Sequence, residues 1–249
     1  MKILALESSA KAASCAVLED SQVLASAWQA TGLTHSRTLL PMVEDMLKNS
    51  ELELQDIDAM AVAVGPGSFT GLRIGVSAVK GLAWAAEKPC IPVSTLEAMA
   101  WPLAHLEGNI VCAMDARRQQ IYNAIFLAED GELTRLREDR AISLAEAAED
   151  LADMNDGPMY IVGDGAQLCY NYLCLQGVAC QLAPVHLRLQ SAVGVGLAVF
   201  ARPGCSMDGQ GLYRLDSGGF QTVSAQELAP VYLRLSQAER ERLARERGE

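Results

Sequence analysis

Residues 59–75 read AMAVAVGPGSFTGLRIG, and this stretch decides the fold class. Its first six residues are apolar and glycines follow at once, a pattern typical of a short buried strand that ends in a turn. A helix is predicted over 70–87, where Pro89 ends it, and a further strand is predicted over 91–93. A strand, a glycine turn, a helix and a second strand in this order indicate an α/β fold.

The chain around this stretch repeats one order of elements. In the first half, three strands at 2–6, 14–18 and 23–28 and a helix at 36–48 are predicted before the stretch 59–75. Pro41 lies near the first turn of that helix. In the second half, three strands are predicted at 110–114, 121–127 and 133–137, and a helix follows that is opened by the capping box from Ser143 to Glu146. A strand at 159–162 and a glycine turn at 163–165 then lead to another helix. The repeated order predicts a duplicated ribonuclease-H-like unit, which is the actin-like ATPase fold with two subdomains.

The predicted repeat suggests boundaries along the chain. We expect a first actin-like subdomain with the glycine loop at 1–104, a second at 105–190, a C-terminal helix and loop that pack back on the sheets at 191–235, and a charged tail at 236–249. The helix of the third segment is predicted at 192–201, a glycine-rich loop at 203–219, and a solvated helix at 237–249.

Composition limits the classes of function. The formal net charge is -11 and the pI is near 4.8, so the average surface repels phosphate. If the protein takes part in binding an RNA, a partner would have to supply most of the positive charge that contacts the RNA backbone. The first residues are too short for a signal segment, and no apolar run is long enough for a membrane span, which predicts a cytoplasmic protein. The seven cysteines include no Cys-x-x-Cys pair and are predicted as buried reduced thiols rather than a metal site or a disulfide framework.

The glycine loop is a weak nucleotide signal. Backbone N–H groups at a helix N-terminus attract anions, which makes Gly65, Gly67, Ser68 and Thr70 weak candidates for phosphate binding. No Gly-Lys-Ser/Thr follows, and Thr70 stands where a dinucleotide loop needs its third glycine. The favoured alternative is a tight strand-to-helix turn in which Ser68 or Thr70 is the N-cap.

The helix after the loop carries many small residues. Each interior glycine costs about 1 kcal/mol of helix propensity relative to alanine, so something must approach this helix closely. The small residues are Gly71, Gly75, Ser77, Ala78 and Gly81. From the pattern alone, packing on the chain's own sheet and docking of another protein remain equally open.

Five segments together resemble the TsaB family, also called YeaZ. They are ILALESS at 3–9, His35 with Ser36, GPGSFTGLRIG at 65–75, DARR at 115–118 and PVYLR at 230–234. The resemblance implies a non-catalytic scaffold and activator for threonylcarbamoyladenosine (t6A) formation at position 37 of tRNAs that read ANN codons. It implies as partners the catalytic transferase TsaD and the ATPase TsaE, with tRNA contacted only through the complex.

The resemblance also implies docking on TsaD through the two helices of the first half. The expected contact residues are His35, Leu39, Val43, Met46, Gly71, Arg73, Gly75, Val76, Lys80 and Trp84. The same surface, left free, would allow a homodimer.

No catalytic residue, metal or cofactor is expected. In the catalytic relatives, the strand that corresponds to 91–93 is followed by two metal-binding histidines four residues apart. Thr95 and Met99 stand at those two positions here. The histidines at 35, 105 and 186 share no ligand spacing, and no Ser-His-Asp set is evident. The rival hypotheses are an autonomous ATP-dependent enzyme, either a kinase or a carbamoyltransferase, and a metallopeptidase.

Four charged residues near the predicted cleft have open roles. Glu7 and Asp115 end equivalent strands of the two halves, where paired carboxylates are possible but structural hydrogen bonding is favoured. Arg117 and Arg118 would contact RNA or a nucleotide, or would simply be solvated.

Overall fold

The computed structural model describes residues 1–154, 157–201, 205–207, 213–215 and 222–234. The predicted helix at 237–249 lies outside these residues, as does the tail at 236–249. Within the described part of the chain, none of the helices combines the length and the apolar character needed to cross a bilayer.

The first half forms a five-stranded sheet with the order β3-β2-β1-β4-β5. Its strands are β1 (Lys2–Glu7), β2 (Ala13–Glu19), β3 (Gln22–Gln29), β4 (Ala59–Gly65) and β5 (Cys90–Ser94). The first three strands pair antiparallel, whereas β4 lies parallel to β1 and β5 lies parallel to β4. The run of alanine, valine and methionine in β4 is buried along its full length, as a central parallel strand requires.

The second half forms a sheet with the same order, β8-β7-β6-β9-β10. Its strands are β6 (Gly108–Asp115), β7 (Gln120–Glu129), β8 (Glu132–Ser143), β9 (Met159–Val162) and β10 (Gln181–Leu182). Again the first three strands pair antiparallel, whereas β9 lies parallel to β6 and β10 lies parallel to β9. The identical topology confirms the predicted duplicated actin-like α/β fold.

Helices cover both faces of the first sheet. One face packs against α1 (His35–Asn49) and α2 (Phe69–Ala86), and the other packs against α6 (Ala192–Phe200). Helix α6 buries Ala192, Val195 and Val199 against β1, β2, β4 and β5. A helix that follows the second half in the sequence therefore completes the core of the first half. The second sheet is covered on one face by α4 (Leu144–Ala152) and α5 (Ala166–Leu175).

Several elements differ from the sequence prediction, including the two-residue strand β10, which was not predicted. Helix α3 (Thr95–Ala100) follows β5 directly and contributes Leu96 and Met99 to a core shared with the second sheet. Strand β8 continues to Ser143 rather than ending at 137. The stretch predicted as glycine-rich loop contains two short antiparallel strands, β11 (Cys205–Met207) and β12 (Tyr213–Leu215).

Candidate functional site: an interdomain cleft and a helical docking face

The glycine loop is a strand-to-helix turn held by its own chain. Ser68 is the N-cap of α2, and its hydroxyl accepts a hydrogen bond from the Gly71 N–H at 3.3 Å. The Ser68 N–H donates to the Ser9 carbonyl oxygen at 2.6 Å. A Cβ at Gly67 would lie 2.6 Å from that same oxygen, so Gly67 permits the contact between the loop and the β1–β2 connection.

These contacts surround the weak phosphate-binding candidates. The space beside Gly67 is filled by Ser9, and a Cβ at Gly65 would meet the Val231 carbonyl oxygen at 2.1 Å. Of the four candidate residues, Ser68 and Thr70 are exposed, and the Ser68 N–H is already bonded. These contacts favour the strand-to-helix turn, and phosphate binding by the four residues stays a prediction. The N-cap prediction for Ser68 is confirmed.

Close packing inside the chain explains two glycines of α2. A Cβ at Gly71 would lie 2.2 Å from the Ser8 carbonyl oxygen, and a Cβ at Gly75 would lie 2.4 Å from the Ser8 hydroxyl. That hydroxyl donates to the Gly71 carbonyl at 2.9 Å. A bulky residue at position 75 would therefore disturb the monomer itself and is not a clean test of docking.

Six of the ten predicted contact residues belong to the core of the first half. They face the chain's own sheet because apolar residues at helical spacing bury one side of each helix. Packing inside the chain accounts for them, and their role as docking residues stays a prediction. The six are Leu39, Val43, Met46, Gly71, Gly75 and Val76.

The remaining four stay predictions. His35 is half-buried, and its Nε2 lies 2.7 Å from the Ala10 carbonyl oxygen. Lys80 donates to the carbonyl oxygens of Gln226 and Leu228, so it holds the C-terminal segment. Arg73 is exposed, and the Trp84 side chain is 79% exposed.

Part of the outer surface of α1 and α2 is apolar, and many of the other exposed positions are polar or charged. We define the docking face as Leu40, Ile74, Ala78, Gly81 and Trp84. Leu40 is 46% exposed, and a groove of about 560 Å³ runs between the two helices beside it. Gly81 has open space around its Cα, so an approaching helix would meet no side chain there. An exposed apolar face with a groove and a protruding tryptophan is typical of a protein-binding surface.

A C-terminal strap, residues 222–234, lies along α2. The Phe69 and Tyr232 rings stack with centroids 4.4 Å apart, and the Arg73 guanidinium lies 3.9 Å from the Phe69 centroid. The Arg73 Nε donates to the Tyr232 hydroxyl at 3.2 Å, and the Val231 N–H donates to the Val64 carbonyl at 2.7 Å.

The strap continues to the second half, where the Arg234 guanidinium donates to the Ala116 carbonyl oxygen. The strap therefore joins α2 to the second half. The sequence showed PVYLR only as part of the resemblance and gave no sign of these contacts.

A cleft of about 640 Å³ separates the two halves. Its charged lining residues are Lys11, Asp115, Arg117, Asp164 and Arg234. The Asp115 carboxylate accepts from the Arg117 N–H at 2.8 Å, and burial raises the pKa of Asp164. Because the carboxylates offset much of the positive charge, the cleft lacks the strong positive field that favours a triphosphate.

The turn between β6 and β7 at the cleft mouth has an uncommon backbone. Arg117, Arg118 and Gln119 all adopt left-handed φ angles, of 66°, 55° and 56°. All three side chains are exposed. Three consecutive non-glycine residues in this region are rare, and nothing in the local sequence predicts the conformation.

Glu7 and Asp115 differ in their surroundings although they end equivalent strands. Glu7 is fully buried, its Oε1 accepts from the Ser9 N–H, and its Oε2 has no hydrogen-bond partner. Burial raises the pKa of Glu7 to about 7, and the nearby Asp164 carboxylate adds to the increase. Asp115 is exposed, so the two carboxyl groups do not form a matched pair.

Thr95 and Met99 lie in α3, which packs between the two sheets. Both are buried, and the Thr95 hydroxyl has no hydrogen-bond partner. Within the residues that the structure describes, no group of three or more His, Cys, Asp or Glu side chains is arranged to hold a metal ion.

The chain matches known proteins over most of its length. It is 34% identical to the tRNA threonylcarbamoyladenosine biosynthesis protein TsaB of Bacillus subtilis over 168 residues, which cover 68% of this chain and 73% of the relative. It is 36% identical to TsaB of Escherichia coli over 169 residues, covering 67% of this chain and 73% of the relative. The chain belongs to the TsaB family.

Two further comparisons agree with this family. The structure of YeaZ from Pseudomonas aeruginosa superposes with a TM-score of 0.72 at 26% identity, over 93% of this chain and 99% of that one. The family model for TsaD, tRNA N6-adenosine threonylcarbamoyltransferase, matches residues 29–202. A TsaB-family chain is thus related in sequence to the transferase family itself.

Proposed function

We propose that this TsaB-family chain is a non-catalytic subunit for t6A formation on tRNA and that it docks through its α1–α2 face onto a TsaD-type transferase. The observation that carries the proposal is the docking face. It exposes Leu40 and Trp84 on two neighbouring helices whose inner sides already fill the core. The biosynthetic role is taken from the TsaB relatives.

The relation to the TsaD family supports the choice of partner. Since the TsaD model matches residues 29–202, a transferase of that family is expected to contain its own versions of α1 and α2. Two related helix pairs can pack about a twofold axis, each presenting the same kind of surface to the other. The small residues Ala78 and Gly81 would let the helices approach closely, and Trp84 would anchor the contact. The same geometry would pair two copies of this chain when no transferase is present.

Charge supports an indirect contact with tRNA. The formal net charge of -11 repels the RNA backbone, so we propose that the transferase binds the tRNA. We also propose a TsaE-type ATPase as a further partner and the cytoplasm as the location, because tRNA modification requires access to tRNA.

The test combines reconstitution with matched surface variants. Leu40→Asp and Trp84→Ala should each weaken co-purification with a TsaD-type transferase by at least about tenfold and lower t6A formation in the reconstituted system. Leu175→Asp is the control, because Leu175 is 83% exposed at the end of α5, the helix that corresponds to α2 in the second half. Unchanged binding in both docking-face variants, or full t6A formation without this chain, would contradict the proposal.

An autonomous ATP-dependent enzyme is less well supported. The glycine loop is filled by Ser9 and Val231, and the positions of the expected metal ligands hold buried Thr95 and Met99. Metal-dependent ATP turnover by the isolated chain in proportion to its concentration would favour this alternative. Metal analysis of the purified chain, together with a peptidase assay, would address the metallopeptidase hypothesis.

A further inference from the structure

The groove between α1 and α2 has a basic end. Within the described part of the chain, the ionisable residues that line this groove are His35 and Arg73, and no Asp or Glu lines it. The chain as a whole contains 31 acidic residues against 20 basic ones. In a chain this acidic, a groove that is lined by a guanidinium and an imidazole but by no carboxylate favours an anionic group as its occupant.

The guanidinium of Arg73 is held in place by the chain and still has donors to offer. It lies 3.9 Å from the centroid of the Phe69 ring, and its Nε donates to the Tyr232 hydroxyl at 3.2 Å. Its two terminal nitrogens have no hydrogen-bond or ion-pair partner among the residues that the structure describes. A planar guanidinium that is fixed in this way can receive a carboxylate through two parallel N–H donors.

Two further features favour an anion at the same end of the groove. Helices α1 and α2 both begin there, and neither has an acidic residue in its first turn, so the positive ends of their dipoles are not offset. The Nδ1 atom of His35 is buried and has no hydrogen-bond partner among the described residues, whereas its Nε2 already contacts Ala10. A buried polar atom that the chain leaves unsatisfied is expected to gain a partner in a complex.

We propose that a carboxylate side chain of the TsaD-type transferase binds at this end of the groove and pairs with Arg73. The contact rests on the proposed function and adds the chemistry that the docking face recognises. The apolar docking face supplies the contact area, and the carboxylate fixes how the partner's helices lie along α1 and α2. A protein without an acidic residue at that place would leave the guanidinium desolvated and unpaired, so Arg73 selects against it.

The test measures the dissociation constant of the complex with the transferase at several salt concentrations. Arg73→Met removes the charge and keeps an unbranched side chain over Phe69. Binding should weaken about tenfold at about 0.1 M salt, and the constant should depend less steeply on salt, because one charge pair is lost. Arg73→Lys should restore only part of the loss, since an ammonium group lacks the two parallel donors.

Two controls separate this contact from the structural role of Arg73. Tyr232→Phe removes the acceptor of the Arg73 Nε and leaves the charge in place, so binding should stay within about twofold of the parent protein. Arg37→Met removes an exposed charge of α1 that does not line the groove, and it should also stay within about twofold. An equal loss in Tyr232→Phe and Arg73→Met, or no loss in Arg73→Met, would overturn the proposal.

The carboxylate itself is located by double-variant cycles. Arg73→Met is combined with single Asp→Asn and Glu→Gln changes in the transferase helices that correspond to α1 and α2. For one of these changes, the combined loss of affinity should be about tenfold smaller than the product of the two separate losses. Independent losses at every acidic position would overturn the proposal.

Two outcomes tell this contact apart from the proposed function. If Arg73→Met weakens only the self-association of the isolated chain, the carboxylate belongs to a second copy of this chain, and the proposal is wrong. If Arg73→Met has no effect while Leu40→Asp and Trp84→Ala still disrupt the complex, the carboxylate contact is wrong and docking through the α1–α2 face stands.

Discussion

The two halves share a backbone design at the turn between a strand and its helix. In the first half, a Cβ at Gly67 would meet the Ser9 carbonyl oxygen at 2.6 Å, just beyond the end of β1. In the second half, a Cβ at Gly165 would meet the Asp115 amide nitrogen at 2.7 Å, at the end of β6. Each glycine thus lets the turn pack against the chain that leaves the central strand.

The outer surfaces of the halves differ. Helix α2 has 18 residues and a serine N-cap, whereas α5 has 10 residues and no side-chain cap. Helix α2 also lies beside the strap and displays the docking face, whereas α5 exposes Leu175 and ends at a left-handed Gly177. The comparison teaches that the inner packing of a duplicated unit is tied to its topology, while its outward faces are free to take separate roles.

The largest predicted effect tests the shared turn. Gly67→Ala and Gly165→Ala should each lower the free energy of unfolding by about 3 kcal/mol, because the new methyl group meets backbone atoms that cannot move independently. Chemical denaturation measures the loss. Gly81→Ala is the control, and it should stabilise the protein by about 0.5–1 kcal/mol because nothing surrounds Gly81. A large loss of stability from the substitution in one half, with no effect from the substitution in the other half, would contradict a shared design of the two turns.

The next effect separates the two strand-end carboxyl groups. The pKa of Glu7 rises to about 7 on folding. The favourable contribution of Glu7 to the free energy of unfolding is therefore fully present below the pKa that Glu7 has in the unfolded chain, and it is lost as the pH rises through about 7. Glu7→Gln should therefore gain up to about 3 kcal/mol of stability relative to the parent protein between about pH 5 and pH 8. Denaturation curves across this range measure the difference.

Asp115→Asn serves as the control for Glu7→Gln. This substitution changes an exposed carboxylate and leaves the buried Glu7 in place, so the loss of stability caused by Glu7 between about pH 5 and pH 8 should persist. Parallel pH curves for the parent protein and Glu7→Gln would show that burial does not govern Glu7.

The smallest predicted effect concerns the strap, which in the described part of the chain lies beside α2 of the first half. Tyr232→Ala removes the stacking on Phe69 and should cost about 1–2 kcal/mol, whereas Tyr232→Phe removes only the hydroxyl that accepts from Arg73 and should cost about 0.5–1 kcal/mol. Hydrogen exchange at the Val231 amide should quicken in the same order. The Gly163 amide, which bonds to Arg188 in the second half, should stay protected. Equal changes at both amides would contradict a local strap.

The fold was predictable because its signals are long and repeated. The strands alternate with glycine turns and capped helices in one order, and the structure confirms that order in both sheets. Short elements escaped prediction. Helix α3 has six residues and β10 has two, lengths at which apolar periodicity cannot distinguish a helix, a strand and a loop.

The site was less predictable for a physical reason. The spacing of Leu39, Val43 and Met46 shows that one side of α1 is buried, but it does not show whether the chain itself or a partner covers that side. The chain's own sheet covers it, and the exposed face lies opposite. The strap's contacts with the rest of the fold join residues more than 100 positions apart, such as Arg73 with Tyr232, and no local pattern can indicate them.

The sheet that is synthesised first is finished last. Helix α6 and the strap both pack on the first half. The core of the first half therefore lacks one covering helix until residues near 200 have been synthesised, and α2 lacks the strap beside it until residues near 234 follow. The second half, whose strands and helices lie together between Gly108 and Leu182, has all its own elements earlier. On the ribosome, the docking face would therefore rest on a complete scaffold only after residues near 234 have emerged, and a partner would meet it only once both halves exist.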